Sequence, residues 1–262
     1  MIHVAGWFFE NNKSCALKSN FGESGWGTLF IKYNDFKNEE EIIDHIKKEF
    51  ENDSIWANNL ILVEEYIKPN QNNLSGSPSS ELFLSSKGVQ ITYLCDQVLG
   101  ETGDFLGVAI GKGVLDRKII SEIEIISLAI GKRFWNLGYR GFFDIDFILS
   151  DENILYIIET NMRRTGGTHV YDVANSICGK NWKENYFIIS QDQFCYGDKG
   201  KRKKEIVEKI QEVMYPIKGK AEGVIISILN KKKSTLGFII IGDSKKKCIN
   251  FYNKMLNVIN NN

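Results

Sequence analysis

The chain has no excess of either charge: 33 Lys and Arg balance 33 Asp and Glu in 262 residues. That balance leaves no net field to draw a nucleic acid or an anionic membrane surface. No uninterrupted apolar run reaches the length of a bilayer span, and no basic, apolar, small-residue leader opens the chain. The five cysteines (Cys15, Cys95, Cys178, Cys195 and Cys248) form neither a CxxC nor a zinc-type spacing. They read as buried thiols in a reducing compartment. The expectation is a soluble cytoplasmic protein that binds neither nucleic acid nor membrane. A Walker A loop and a Rossmann fingerprint are both missing, and no Cys or Ser stands out as a nucleophile. The length suffices for a sizeable core divided over two or three subdomains.

What is present centres on one stretch. Gly141–Leu149 (GFFDIDFIL) and Ile154–Arg164 (ILYIIETNMRR) are apolar runs joined by Ser150-Asp151-Glu152-Asn153, which predicts a β-hairpin with a four-residue loop. Pairing Leu149 with Ile154 would set Asp144 opposite Glu159 and Asp146 opposite Ile157. Residues two apart share a strand face, so Asp144, Asp146, Glu159 and Asn161 all fall on one side. Three carboxylates packed together unpaired would be costly, and a hard divalent cation such as Mg²⁺ resolves that cost. The competing reading is an amphipathic hairpin whose acids face water or pair with Arg163 and Arg164.

Other segments supply context. Residues 1–10 are short, apolar and strand-like, with His3 taken as structural or exposed. Residues 15–18 and 28–32 predict strands on either side of a loop with Gly22, Gly25 and Gly27. Such a loop can cradle phosphate oxygens with its N–H groups, and Lys18 could add a point charge to them; the alternative is a flexible hairpin turn. Asn38–Asn52 reads as an amphipathic helix with an acidic start, His45 being a surface or packing residue. Leu60–Val63 reads as a buried strand, Gln71–Ser80 as a hinge, and Glu81–Phe83 and Val89–Leu94 as antiparallel strands. Gln97–Gly113 reads as loop, and Lys118–Leu137 as a helix ended by Gly138. Thr165-Gly166-Gly167-Thr168 opens a further helix, a ready anion site, with His169 either contacting that ligand or capping and packing. The basic run 199–205 reads as solvated linker, because no aromatic residues interleave with its charges. Residues 199–262 form a small α/β appendage, with the Lys231–Lys233 run in its strand turn.

The order of these parts resembles the ATP-grasp superfamily of ATP-dependent carboxylate–amine ligases. The resemblance rests on Lys18 before the Gly22–Gly27 loop, on Val63-Glu64-Glu65-Tyr66-Ile67, and on Asp146 followed thirteen residues later by Glu159-Thr160-Asn161-Met162-Arg163. It covers about residues 15–185. Arg163–His169 and the tail look most like the pheganomycin-type peptide ligases. The implied fold is α+β, with two subdomains clasping ATP (1–70, carrying the glycine-rich loop, and 71–198, carrying the metal hairpin) and the appendage at 199–262.

The resemblance implies roles residue by residue. Lys18 would hold the ATP phosphates under Gly22, Glu23, Ser24 and Gly25. Glu64 would accept from the adenine amino group, with the Tyr66 and Ile67 backbone completing the base edge, and Glu81 would hold the ribose. Asp146, Glu159 and Asn161 would hold one or two Mg²⁺, with Asp144 ranked below them, and Arg163 would steady the transferred phosphoryl group. ATP would activate a small carboxylate as an acylphosphate for attack by an amine, with an amino acid or peptide as substrates. Such ligases usually carry an N-terminal domain that only about fourteen residues replace here, so a partner chain supplying it enters the expectation. The alternatives are a nucleotide-binding, non-ligating or partner-dependent subunit, and a phosphotransferase that stops at the phosphorylated product.

Overall fold

The computed structural model describes residues 2–260 except 24, 58, 71–74, 101–102, 197–202 and 231. Two compact units divide the chain: Met1–Lys68 with Leu99–Phe105, and Pro69–Val98 with Leu106–Asn262.

In the first unit, helix α1 (Ile2–Glu10) precedes strands β1 (Cys15–Glu23) and β2 (Trp26–Ile31), helix α2 (Glu39–Asn52) and strand β3 (Ile61–Glu65). The sheet order is β2-β1-β3, antiparallel throughout. Residues 2–10 are helical rather than strand-like. Ile2, Ala5, Phe8 and Phe9 join the core at helical spacing, a stripe hidden in the sequence by the equally apolar but exposed Val4 and Trp7. α2 forms where expected: the Asn38 side chain accepts the Glu41 N–H at 3.0 Å, and the Glu41 carboxylate accepts the Lys37 N–H. Ile42 and Ile46, four apart, bury fully against Leu17 and Ile31.

The second unit is built on strands β4 (Pro78–Ser85), β5 (Gly88–Leu99), β6 (Phe105–Gly111), β7 (Gly141–Leu149), β8 (Leu155–Asn161), β9 (Phe187–Cys195), β10 (Gly223–Asn230) and β11 (Thr235–Gly242). They make one sheet in the order β10-β11-β9-β6-β5-β4-β7-β8. Helices α3 (Arg117–Asn136), α4 (Thr168–Ile177), α5 (Trp182–Asn185), α6 (Lys203–Lys209) and α7 (Lys245–Asn260) accompany it. α3 covers one face through Ile119 and Ile123 against Leu82, Leu84, Phe143, Ile145 and Phe147. Gly131 lets this helix sit close, since a Cβ there would meet Leu82 Cδ2 at 2.9 Å. α7 packs Cys248 and Met255 onto Phe187, Phe238 and Ile240.

Three expectations change here. Within Gln97–Gly113, residues 105–111 are strand β6 rather than loop, with Val108, Ala109 and Ile110 buried; the flanking glycines had masked a short buried strand. Pro78–Ser80, placed in the hinge, begin β4 and are buried, with Ser75 and Ser77 N–H groups held by Asp96. Residues 71–74 of that hinge lie outside the described residues. Finally, β10 and β11 do not stand apart as an appendage, because β11 pairs with β9 from Thr235↔Cys195 to Gly242↔Phe187. The basic residues 199–202 and Lys231 are outside the described residues.

Candidate functional site

The hairpin β7–β8 forms, with a register one step from the expected one. Leu149 faces Leu155 and Phe147 faces Ile157, and then the pairing shifts, so that Asp146 faces Glu159 and Asp144 faces Asn161. Ile158 is the extra residue. Directly opposed residues share a face, and a one-residue slip would carry Glu159 and Asn161 to the other side. The bulge therefore restores the acids to a common face, as bulges beside ligand sites do.

β4 lies on the other flank of β7 and sets Ser79 opposite Asp146 and Glu81 opposite Asp144. β5 continues with Cys95 opposite Ser79 and Tyr93 opposite Glu81. Two cross-strand rows result: Tyr93–Glu81–Asp144–Asn161 and Cys95–Ser79–Asp146–Glu159. Asp144 and Glu81 are almost wholly enclosed, whereas Glu159 is exposed.

The rows are held by hydroxyl and amide donors. Ser79 and Thr165 donate to Asp144 Oδ2 at 2.9 and 3.3 Å. Gln97 Nε2 donates to Asp146 Oδ1 at 2.8 Å, and Asn161 Nδ2 to Asp146 Oδ2 at 2.9 Å and Glu159 Oε1 at 3.2 Å. Arg163 donates to Asn161 Oδ1 at 3.3 Å. Asn161 thus puts its only cation-like end between two carboxylates. Burial, then the Glu81 charge, pushes Asp144 up to about 6. Burial, then Asp144 and Glu159, raises Asp146 well above the carboxylate range. Among the described residues no Lys or Arg side chain bonds to Asp144 or Asp146.

That donor set fits Mg²⁺. Among the described residues no group of three His, Cys, Asp or Glu side chains is arranged to hold a metal. Two carboxylates and an amide oxygen are nevertheless what this ion takes when phosphates and water complete its shell. Reversal of the Asn161 amide, whose O and N are near-isosteric, would turn its oxygen toward the ion.

Glu81 does not stand where a ribose could reach it. It is 0 % exposed, its carboxylate accepts from Thr168 Oγ1 and from Thr92 Oγ1 (3.1 Å), and burial raises its pKa. Its work is internal: it ties the Thr165–Thr168 turn to β4. Gln97 and Ser79 carry no motif, and only the strand order reveals them; Thr165 and Thr168, read from the sequence as an anion loop, are bonded to Asp144 and Glu81. His169 Nε2 lies 3.8 Å from Asp192 Oδ1.

In the first unit, Lys18 forms an ion pair with Glu64, brought together because Ala16 faces Glu64 and Lys18 faces Leu62 across β1–β3. Tyr66 N–H bonds to Ser14 O at 3.0 Å, and its ring meets Phe30 edge-on. Ile67 follows, half-buried. The glycine-rich segment is mostly strand: between Lys18↔Thr28 and Glu23↔Trp26, four residues of β1 stand against Gly27 alone. Gly25 has φ +89°, and a Cβ there would meet Gly103 O at 2.9 Å, so this turn requires glycine. Gly22 is exposed; Ser24 and the Glu23 side chain lie outside the described residues.

No protein-family model matches the sequence. Over 119 residues the chain is 29 % identical to the L-propargylglycine–L-glutamate ligase of Streptantibioticus cattleyicolor, a match spanning 45 % of this chain and 23 % of that protein. Among solved structures, it superposes on the carboxyaminoimidazole ribonucleotide synthase of Aspergillus clavatus complexed with ATP with a TM-score of 0.65 at 9 % identity, covering 99 % of this chain and 66 % of the other. The biotin carboxylase of Campylobacter jejuni gives 0.64 at 15 % identity, covering 97 % and 63 %. The N5-carboxyaminoimidazole synthetase of Staphylococcus aureus complexed with ADP gives 0.61 at 12 %, covering 97 % and 64 %. The chain thus spans under two thirds, or about that share, of each protein it resembles. The chain has the α+β fold of these enzymes, the ATP-grasp fold.

Proposed function

We propose that the chain is an ATP-dependent carboxylate–amine ligase, ADP-forming, that joins a small carboxylate to an amine through an acylphosphate. The observation that carries this reading is the bulge-corrected row in which Asp146 meets Glu159 with Asn161 beside them. The sequence relative supports the substrate class, since its name gives two amino acids, L-propargylglycine and L-glutamate. Among the described residues no helix is long and apolar enough to cross a membrane, and the five cysteines are free thiols; a cytoplasmic setting suits both.

In this reading Asp146, Glu159 and Asn161 hold one or two Mg²⁺, which neutralise charge on the transferring phosphoryl group. Lys18 leaves Glu64 for the ATP phosphates, and the released Glu64 carboxylate accepts from the adenine amino group, with the Tyr66 and Ile67 backbone on the base edge. Gly22 and Gly25 let the hairpin backbone, with Glu23 and Ser24, cover the phosphates and keep water from the acylphosphate. Arg163, already bonded to Asn161, donates to the transferred phosphoryl oxygens.

Calorimetric titration with ATP, with and without Mg²⁺, tests the site. Metal-dependent binding that disappears in Asp146→Asn is expected, followed by ADP release with a mixture of amino acids. ATP binding indifferent to Mg²⁺ and to that substitution would sink the proposal.

A further inference from the structure

The two oxygens of Asp146 are held from opposite sides. Asn161 Nδ2 donates to Oδ2 at 2.9 Å and to Glu159 Oε1 at 3.2 Å, so these two oxygens converge on one point. Gln97 Nε2 donates to the other oxygen, Oδ1, at 2.8 Å. An ionised carboxylate accepts equally well at either oxygen until a neighbour tells them apart. Gln97 makes that distinction: it occupies Oδ1 and leaves Oδ2 on the side of Glu159.

The reach is long. Gln97 follows Tyr93 and Cys95 at intervals of two along β5, which puts it on the face that carries the carboxylate rows. β4 lies between β5 and β7, so the side chain crosses a whole strand, a span of about 10 Å between the outer two. Where the row passes over β4 it meets only Ser79, whose hydroxyl is turned to Asp144.

The base of the Gln97 side chain is fixed by residues 75–77. Gln97 N–H donates to Ser77 O at 3.0 Å, and the Ser75 hydroxyl donates to Gln97 O. Its neighbour Asp96 accepts the Ser75 N–H at 3.0 Å, the Ser77 N–H at 2.9 Å and the Ser75 hydroxyl at 3.2 Å. The same segment grips β7, since Leu149 N–H donates to Gly76 O at 2.9 Å. Gly76 has φ +67°, which glycine adopts without strain. The strand bearing the amide and the strand bearing the carboxylate are therefore tied to one short turn. An amide anchored in this way pre-orients the carboxylate it bonds, which is how groups behind a metal ligand tune affinity.

We propose that Gln97 is a positioning residue for the cation: it holds Asp146 Oδ1 so that Oδ2 and Glu159 Oε1 face the ion together. The inference deepens the ligase reading and rests on it for the identity and use of the ion.

The test is titration of the full chain with Mn²⁺, an ion of the same oxygen preference as Mg²⁺, in the presence of ADP. Free ion is read by electron paramagnetic resonance against a protein-free blank. Gln97→Met keeps the length of the side chain and loses its N–H groups, and should raise the dissociation constant of the ion about 10- to 100-fold. Gln97→Asn keeps the amide but is too short to span β4, and should weaken the ion by a similar factor. Both variants should bind ADP in EDTA as the unmodified chain does and melt close to it. Unchanged Mn²⁺ affinity in either variant would overturn the proposal. So would a loss matched by falls in melting temperature and in metal-free ADP affinity, which would make Gln97 a residue of general stability. No ion bound by the unmodified chain would overturn the cation site and this assignment together. Mn²⁺ binding that depends on Gln97, in a chain that releases no ADP from ATP with amino acids present, would instead overturn the ligase reading and leave the positioning role standing.

Discussion

Charge is handled in opposite ways at the two ends of the proposed chemistry. In the first unit Lys18 and Glu64 neutralise each other on adjacent strands, at 22 % and 32 % side-chain exposure. In the second, Glu81, Asp144 and Asp146 lie side by side on the sheet, met by hydroxyls and amides and, among the described residues, by no ammonium or guanidinium bond. A self-neutralised, water-accessible pair costs little to keep and little to separate. Enclosed carboxylates raise one another's pKa and call for a proton or a metal cation. In the proposed reading the first would exchange partners and the second would capture an ion.

The contrast can be broken most severely at the exposed end of the acidic rows. Glu159→Ala should abolish Mg·ATP turnover while the melting temperature stays near that of the unmodified chain, because Glu159 is exposed. Turnover that persists would refute the cation role. Inside the rows the effect moves to stability. Thr168→Val strips a donor from the enclosed Glu81 carboxylate and should cost about 2 kcal/mol in urea unfolding, with Glu81→Gln in the same background recovering part of it. No recovery would mean that Thr168 matters only for the shape of its turn.

A pH series sharpens the comparison further. Asp144 holds its proton more tightly when folded, its pKa moving from 3.8 to about 6. Its stabilising contribution is therefore complete below the unfolded value and lost as pH rises through about 6. Asp144→Asn should match the unmodified chain near the lower limit and melt higher above the upper one, in the absence of divalent cations. Mg²⁺ added at neutral pH should raise the melting temperature of the unmodified chain more than that of Asp146→Asn; an equal rise would place the ion elsewhere. The smallest stability effect belongs to the first unit: Lys18→Ala should change unfolding by less than about 1 kcal/mol while weakening ATP binding. Unaltered affinity would remove Lys18 from the phosphate site.

Much of the hairpin was legible because alternation is a local property. Asp144 with Asp146 and Glu159 with Asn161 had to share strand faces whatever the partners, and the acidic start with Ile42 and Ile46 announced α2 in the same way. The N-terminal helix and β6 were not legible. In residues 2–10 exposed Val4 and Trp7 blur the buried stripe, and 105–111 is a short apolar strand between glycines, equally consistent with loop. Glu81 misled for a different reason: its place in the sequence suits a ligand contact, but nothing local says that Thr92 and Thr168 will close over it.

The sequence by itself determined which side chains alternate, about where α2, α3 and α4 start and stop, and that three acids and an amide would gather on one hairpin. Those are consequences of backbone period and capping, set within a few residues. The tertiary structure decided the register and the neighbours. The bulge at Ile158 aligns Asp146 with Glu159, and β4 enters the sheet between β5 and β7 to bring Ser79 and Glu81 alongside. Pairing between strands some sixty residues apart depends on which register buries Leu82, Phe143 and Ile145 best, and no local period encodes that choice.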